Sequence, residues 1–580
     1  MTEQSTFRRL LPYFKPHLSK LILAIGCMLT VTAVHLARPM VLRVIIDKAV
    51  PQQNIELAMK YAGLFLAFLA LGAIAMTMRV RIMARMGAEI VAKIKTEVFE
   101  HILSQGVSFF DKNQPGRLIS RTESDVDQIK SMFTQESMQV FSSIMLVVGT
   151  IAFLFMENVI VGFITIASLA LVSLVMYCYL SYIQSIITEV RTQNSLLTGQ
   201  ITEYIQGIPL IQLYRREEEV KNRLHNFSQK KGDLDVYASF IDYAIGSSTF
   251  RLISEIGVLG VLFFYCSKEI YAGAMTVGTM VMFIELLRQF FRPLGFMVEA
   301  VSSLQSALAA GVRVFAILDS KPAITNEGLI LPDEELTQDI TFNSVNFSYN
   351  SEPVLKNISF KIEKGKTVAI VGKSGSGKTT CANLLLRFYD PDSGSICIGN
   401  QNIKEIQPEN LLKNTALVLQ EIYLFPGTIM QNLKAFRNDI DDESVIKASR
   451  EIGAHSFIQK LSKGYETVLA ERGSNLSYGE RQLLSYTRAL VKDPKLLILD
   501  EATSSVDAIT EMELQNSMAK LMKNRTSLVI AHRLSTIKNA DKIIVLEKGE
   551  IIESGTHEEL IKLGKKYYEL VNIQNGNKAP

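Results

Sequence analysis

Gly372, Gly377, Lys378 and Thr379 in VAIVGKSGSGKTTCANLLL (368–386) keep the spacing GxxxxGK[ST]. Such glycines let successive backbone N–H groups wrap phosphate oxygens. Lys378 then reaches the outer phosphates and the Thr379 hydroxyl holds Mg²⁺. Lys373, Ser374, Gly375 and Ser376 fill the loop, and Thr380 follows it. About 115 residues on, KLLILDEATSSVD (495–507) reads as a buried strand ending in two acids. Asp500 at the strand end suits Mg²⁺, usually through water. Glu501 suits a general base that orients an attacking water. Together these residues point to hydrolysis of a nucleoside triphosphate. Between them lies NLSYGERQ (475–482), a second anion-type stretch. Ser477 can cap a helix there, and the small residues leave N–H groups open to an anion. The bulky Tyr478 in its middle is unexpected.

From residue 340 onward, strand-like runs such as ITFNSVNFSY and ISFKIEKGKTVAIVG alternate with helix signals. That pattern reads as an α/β domain (340–580) containing a parallel sheet. The first half has a different texture. Apolar runs near 20–42, 57–78, 138–156, 159–181, 247–267 and 275–297 each match the roughly 20 residues needed to cross a bilayer as a helix. Residues 1–317 are therefore expected to form an all-α domain of six transmembrane helices, with 318–339 as linker. Only Met156-Glu-Asn158 separates the third and fourth runs, which predicts a tight hairpin.

Basic residues crowd the N-terminus and the segments 79–135 and 183–250, whereas 47–56, 157 and 268–274 are poor in them. The bias predicts cytoplasmic termini and two long cytoplasmic helix extensions, turning near 109–117 and 204–219. A net charge of +3 over 580 residues gives no case for a nucleic-acid partner. The five cysteines lie far apart, without metal-type or disulfide-framework spacing. No cleavable signal peptide is read. Arg251 with Glu255, Glu285 with Arg288, and His35 with Arg38 place charge within the apolar runs. Such groups pair with one another or face a cavity. Phe290, Phe291, Phe296 and Met280 would line such a cavity or face lipid.

With both halves in view, the chain resembles a half-size ATP-binding cassette exporter over nearly its whole length. Besides the two motifs above, LVLQEIYLF (417–425) puts Gln420 in the glutamine-loop position. NLSYGERQ stands in the signature position, SSVD (504–507) in the D-loop position, and LVIAHRLST (528–536) places His532 as the switch histidine. Tyr349 in VNFSYN matches the aromatic that stacks on adenine.

The resemblance implies that Gln420 touches Mg²⁺ or the water and senses the membrane domain. His532 would contact the γ-phosphate, and Asp507 would belong to the nucleotide site. It also implies that two ATPase domains face head to tail. Each ATP then lies between the phosphate loop of one chain and Ser477 and Gly479 of the other. Dimerisation with a second half-transporter follows. Coupling helices are expected at about 114–124 and 207–216.

The usual signature is LSGGQ; here Tyr478 and Glu480 replace its third and fifth residues while Ser477 and Gly479 remain. An altered signature beside an intact Glu501 fits one half of a heterodimer better than a homodimer. The implied activity is ATP-driven export of hydrophobic or amphipathic small molecules from a bacterial cytoplasmic membrane. The alternatives on the same scaffold are a lipid or glycolipid flippase or, less favoured, an importer.

Overall fold

The computed structural model describes residues 3–133, 135–247, 252–253, 258–322, 324, 327–349, 352–437, 439–500, 508–531 and 537–574. The chain divides into two compact units, residues 1–103 with 115–320 and residues 104–114 with 321–580.

The first unit is helical. α1 (Glu3–Leu10) and α2 (Leu18–Val44) precede α3 (Ile55–Leu103). The short α4 (Val107–Lys112) belongs to the second unit. α5 (Pro115–Ser120), α6 (Val126–Phe133) and α7 (Gln135–Glu157) return toward the apolar end. α8 (Val159–Gln206), α9 (Ile208–Leu213) and α10 (Glu217–Ile241) form the second long excursion. α11 (Leu259–Tyr271) and α12 (Val277–Leu318) close the unit. Among the described residues, four helical stretches are long and apolar enough to cross a membrane: Thr6–Ala49, Ile55–Leu103, Pro115–Glu157 and Val159–Gln206. Part of the fifth expected run lies outside the described residues; most of the sixth lies in α12.

At 49 residues, α3 is about 74 Å long at 1.5 Å per residue, more than twice the roughly 30 Å hydrocarbon core. Its far end is therefore a polar-environment rod, and ion pairs hold it. Lys20 reaches Glu89 at 2.6 Å, and Lys95 reaches Glu123 at 2.6 Å. Arg313 of α12 grips Asp125 through both Nε (2.8 Å) and Nη2 (2.6 Å). The hairpin at 156–158 forms because Asn158 caps α8, its side chain accepting from the N–H groups of Ile160 and Val161. At the same end, Asp47 accepts from the Gly278 N–H (2.8 Å) and the Thr276 hydroxyl (2.5 Å), and Arg43 pairs with Glu157 at 2.8 Å. Two of the three partners of Asp47 and Arg43 come from the start of α12 and one from the end of α7.

Phe290 and Phe291 do not lie on the outer face of the bundle. Both are buried in the bundle core, edge to face at 5.0 Å, among Leu154, Leu262, Phe283 and Leu287. Met280 packs partly buried against the same cluster, and the Phe296 side chain lies outside the described residues. Glu285 accepts from Gln289, one turn on, rather than pairing with the exposed Arg288. The Arg38 guanidinium lies over the Phe65 ring at 5.1 Å, and Arg251 and Glu255 lie outside the described residues.

The second unit is α/β. β1 (Ile340–Tyr349) and β2 (Glu352–Ile362) pair antiparallel. β3 (Thr367–Val371) leads into α13 (Lys378–Leu385), followed by β4 (Ser393–Ile398), β5 (Gln401–Asn402) and β6 (Thr415–Val418). β7 (Gly427–Thr428) and β8 (Val468–Leu469) form a small ribbon bracketing α14 (Ile429–Leu433) and α15 (Asp442–Ile452). α16 (Tyr478–Val491), β9 (Leu496–Asp500), α17 (Ala508–Met522), β10 (Thr526–Ile530), β11 (Lys542–Glu547) and β12 (Glu550–Gly555) follow.

The main sheet runs β12-β11-β3-β10-β9-β6, with parallel pairing from β11 to β6; an antiparallel sheet runs β2-β1-β4-β5. The central parallel strands are mostly apolar and almost wholly buried because both faces are covered, as parallel sheets require. Part of the segment read as linker packs on this unit. The Leu329 N–H donates to Glu405 O at 2.7 Å, and the Leu331 N–H to the Asn410 side chain at 3.0 Å.

Candidate active site

Parallel strands put their C-terminal ends on one edge, where open α/β sheets bind ligands. The register does this here. Ile530 pairs with Asp500 and with Ile370, and Val418 pairs with Leu499. The loop beginning at Gly372, Asp500, and the residues just beyond β6 and β10 therefore leave the sheet at one edge. Gln420 is exposed two residues past β6. His532 follows β10 by two residues, and Glu501 and Asp507 follow β9; all three lie outside the described residues.

Gly372 and Gly377 explain the loop's path. Gly377 sits at φ +103°, a left-handed conformation that favours glycine, and an added Cβ would lie 2.5 Å from Leu355 Cδ2. At Gly372 an added Cβ would run into the carbonyl oxygen of Leu546 on β11. Lys373, Ser374 and Gly375 form the exposed outer arc, whereas Ser376, Gly377 and Lys378 are buried and Thr379 is exposed. Thr380 is buried within α13.

The Lys378 ammonium folds over the loop, donating to Gly372 O (2.9 Å) and Lys373 O (3.0 Å). Burial pushes its pKa below the ordinary lysine value, and nearby Asp500 pulls the other way. The Ser376 hydroxyl is buried without a hydrogen-bond partner. A buried cation whose hydrogen bonds among the described residues go to carbonyls, and a buried hydroxyl without a partner among them, both suit an incoming phosphate. Thr379 Oγ1 donates to Asp500 Oδ2 at 3.4 Å, so a hydroxyl and a carboxylate, both hard oxygen donors, already converge.

Tyr349 ends β1 in an aromatic group. Its ring meets Phe347 (4.8 Å) and Tyr389 (5.2 Å) edge to face, and its hydroxyl accepts from Asn383 of α13 at 3.4 Å. Asn383 and Tyr389 carry no motif and were not legible as site residues. Tyr389 also donates its hydroxyl to Asp111 of α4. The segment 104–114 of the first half thus clusters with the second unit. The helix there ends at Lys112 because Asn113 leaves the helical conformation and caps it, its side-chain amide donating to Phe109 O at 2.9 Å.

Ser477 and Gly479 stand on a separate element, the first turn of α16. Ser477 caps it and Gly479 is buried, packed toward Thr510 of α17. α16 packs against α14, α15 and α17.

Comparison with known proteins gives two family matches. Residues 21–294 match the family model of the ABC transporter transmembrane region and residues 355–504 match the ABC transporter family model. The chain is 34% identical over 572 residues to the uncharacterized ABC transporter ATP-binding protein YknV of Bacillus subtilis, covering 98% of this chain and 94% of that one. It is 33% identical over 578 residues to an ATP-dependent lipid A-core flippase of Syntrophus aciditrophicus, covering 98% and 94%. It is 34% identical over 491 residues to the probable multidrug resistance ABC transporter YheH of Bacillus subtilis, covering 84% and 73%.

Proposed function

The chain belongs to the ATP-binding cassette transporter family, and from that premise we propose that it works as one half of an exporter for hydrophobic or amphipathic molecules. ATP binding and hydrolysis in the second unit drive the helical unit between two access states. The observation that carries the reading is the strand-edge cluster of Lys378, Thr379, Ser376 and Asp500 in a chain that also holds membrane-length helices.

In this reading the loop N–H groups and Lys378 bind the phosphates, and Tyr349 stacks on the base. Thr379 and Asp500 hold Mg²⁺, with Gln420 as a further ligand. Bound Mg²⁺ neutralises charge on the terminal phosphate oxygens. Glu501 takes the proton of the attacking water, and His532 and Asp507 complete the site at the γ-phosphate. The membrane would be the bacterial cytoplasmic one, with both termini inside, consistent with the basic bias of the long extensions. Six spans, at the positions given above, fit the two access states.

A second half-transporter is needed on two counts. The signature residues and the phosphate loop of one chain serve different ATP molecules. Moreover, α10 packs chiefly on α8, and apolar side chains well beyond the expected span stay exposed on this pair, among them Ile205 (62%), Val236 (71%) and Phe240 (64%). Ile205 follows residue 181 by 24 positions, about 36 Å of helix, so lipid does not cover it. The altered signature favours a different second chain over an identical one.

Lipid flipping is the second reading, because a lipid A-core flippase and a multidrug-type transporter match at nearly equal identity. ATPase activity of the chain in lipid nanodiscs tests the proposal, alone and with any half-transporter that co-purifies. Glu501→Gln should cut turnover by about 100-fold or more; undiminished turnover sinks the catalytic assignment. Stimulation by amphiphilic drugs supports export, and stimulation by acidic glycolipids alone supports flipping. Full activity of the chain by itself refutes the heterodimer.

A further inference from the structure

The parallel strands of the second unit have another edge, opposite the one that carries Asp500 and the phosphate loop. Thr526 pairs with Leu496 and Ser527 with Thr367, so β9, β10 and β3 all begin there. This edge is concave. A cavity of about 630 Å³ is walled by the turn between β2 and β3, the end of α15, the segment before β9, and the end of α17 with the turn into β10. Hydrogen bonds fix its floor. The Gly365 N–H donates to Thr526 Oγ1 at 2.9 Å, and the Ser527 N–H to Lys366 O at 3.0 Å.

The charge on these walls is unbalanced. Lys364, Lys495, Lys520, Lys523 and Arg525 line the cavity with Glu451 and Asp493, five cations against two carboxylates, a surplus of three. Asp493 is shared: it accepts from Arg525 Nη2 at 3.0 Å and stands 3.5 Å from the Lys495 ammonium. Lys520 donates to a neutral acceptor, Glu451 O, at 2.9 Å. Lys364 and Lys523 make no side-chain hydrogen bond or ion pair among the described residues. A helix C-terminus attracts cations, and Arg525 answers to that attraction, its Nη1 donating to Leu521 O at 2.8 Å. Lys364 and Lys495 do not, because they arrive from two other segments. Like charges gathered from separate segments repel one another, and a bound anion removes that cost.

We propose that this cavity is a binding site for a small soluble anion carrying two phosphate groups, separate from the ATP site. Each phosphate monoester carries about −1.5 to −2 at neutral pH, so two of them offset the surplus charge. The volume falls within the roughly 300–1,000 Å³ of small-ligand sites. Lysine binds phosphate as a flexible point charge. The Arg525 fork is already committed to Asp493 and Leu521, so the lysines hold the ligand. β9 and β10 run from this cavity to the edge that bears Asp500. An occupant bridging Lys364, Lys495 and Lys523 therefore ties together the starts of the strands whose far ends carry the phosphate chemistry. The inference goes beyond the exporter reading and does not depend on it.

The test titrates the full chain with 2,3-bisphosphoglycerate in a calorimeter, in nanodiscs of zwitterionic lipid. A non-hydrolysable ATP analogue at saturation keeps the ATP site occupied. Saturable binding is expected, weakening several-fold as salt is raised. Lys364→Glu combined with Lys523→Glu should weaken it by about tenfold or more, the scale of two charge reversals at exposed positions. Basal ATP turnover should stay unchanged in that variant. Lys364→Arg combined with Lys523→Arg keeps the charge and should bind like the unaltered chain. Lys460→Glu combined with Lys562→Glu makes the same change in net charge at exposed positions that do not line the cavity, and should leave binding intact. Absence of saturable binding to the unaltered chain overturns the proposal. Equal weakening by the two glutamate pairs also overturns it, because the attraction would then belong to the whole surface and not to this cavity.

Discussion

Gly479 can be examined apart from any nucleotide. A methyl group added there would lie 2.5 Å from Thr510 Cγ2, and the next atom it would meet is Thr510 Cβ at 3.9 Å. Gly479→Ala therefore forces one contact more than 1 Å inside normal van der Waals distance. Overpacking of this kind costs about 1–3 kcal/mol. Alanine's helix preference over glycine returns up to about 1 kcal/mol in a helix interior, and less in a first turn. The expected net loss is about 1–2 kcal/mol, or roughly 2–6 °C in unfolding temperature for a unit of this size. Thr510→Ser removes the offending methyl and keeps the hydroxyl. On its own it should cost under about 1 kcal/mol. In the double variant the added Cβ meets only a 3.9 Å neighbour, so most of the loss should disappear.

Thermal unfolding followed by circular dichroism reads the stability, and a double-mutant cycle should show a favourable coupling of about 1–2 kcal/mol. Additive losses in the double variant, or no loss in Gly479→Ala, would show that the α16–α17 packing does not need glycine at this position. If stability recovers in the double variant but ATP turnover does not, Gly479 also serves the nucleotide through its N–H.

Three further outcomes are expected. Asp125→Asn should destabilise the helical unit by about 1–2 kcal/mol, below the roughly 3–5 kcal/mol for breaking a fully buried pair because Arg313 is partly exposed. Arg313→Lys should recover little over Arg313→Ala in the same melt; full recovery would mean that the fork geometry is unimportant. The hydrogen bond from Arg9 holds the Asp319 carboxyl below its ordinary range. Its contribution is therefore present above about pH 3.9, the unfolded value, and is lost only as pH falls through the lower folded value. Docking of α1, followed by limited proteolysis at residues 1–10, should hold from pH 7 to 5, and release within that interval would contradict the assignment. Finally, Tyr389→Phe and Asp111→Ala each remove one hydrogen bond, worth about 1 kcal/mol. Both should reduce ligand stimulation of ATPase more than basal turnover, with no further loss when combined; two independent losses would refute a shared contact.

Much of this protein is written locally. The spacing of Gly372, Gly377, Lys378 and Thr379 demands a strand, a tight loop and a helix, and Asn158 between two apolar runs demands a capped hairpin. These depend on neighbours within a few residues, where backbone conformation and chain connectivity leave few alternatives. The apolar lengths and the switch to alternating strands and helices at 340 likewise divide the chain into a membrane-type half and an ATPase half.

What depends on the meeting of distant residues was not available from the pattern. Tyr389 and Asn383 join Tyr349 only because β1, α13 and the loop after α13 converge. Residues 104–114 belong with the second unit, where Tyr389 meets Asp111 across a separation in sequence that no local pattern records. Apolar composition could not say whether Phe290 and Phe291 faced lipid, a cavity or the core, since all three accept a phenyl ring; packing against Phe283 and Leu287 decided it.

NLSYGERQ shows the division most clearly. The sequence by itself determined a helix start with two groups fit for phosphate and two departures from the usual signature. Only the tertiary structure decided that Glu480 completes a capping box on Ser477, that Arg481 turns away to backbone carbonyls, and that Gly479 is small because Thr510 leaves no room. Hydrogen-bond direction and steric exclusion are properties of positions in space, and a string of residues fixes them only once the chain has folded.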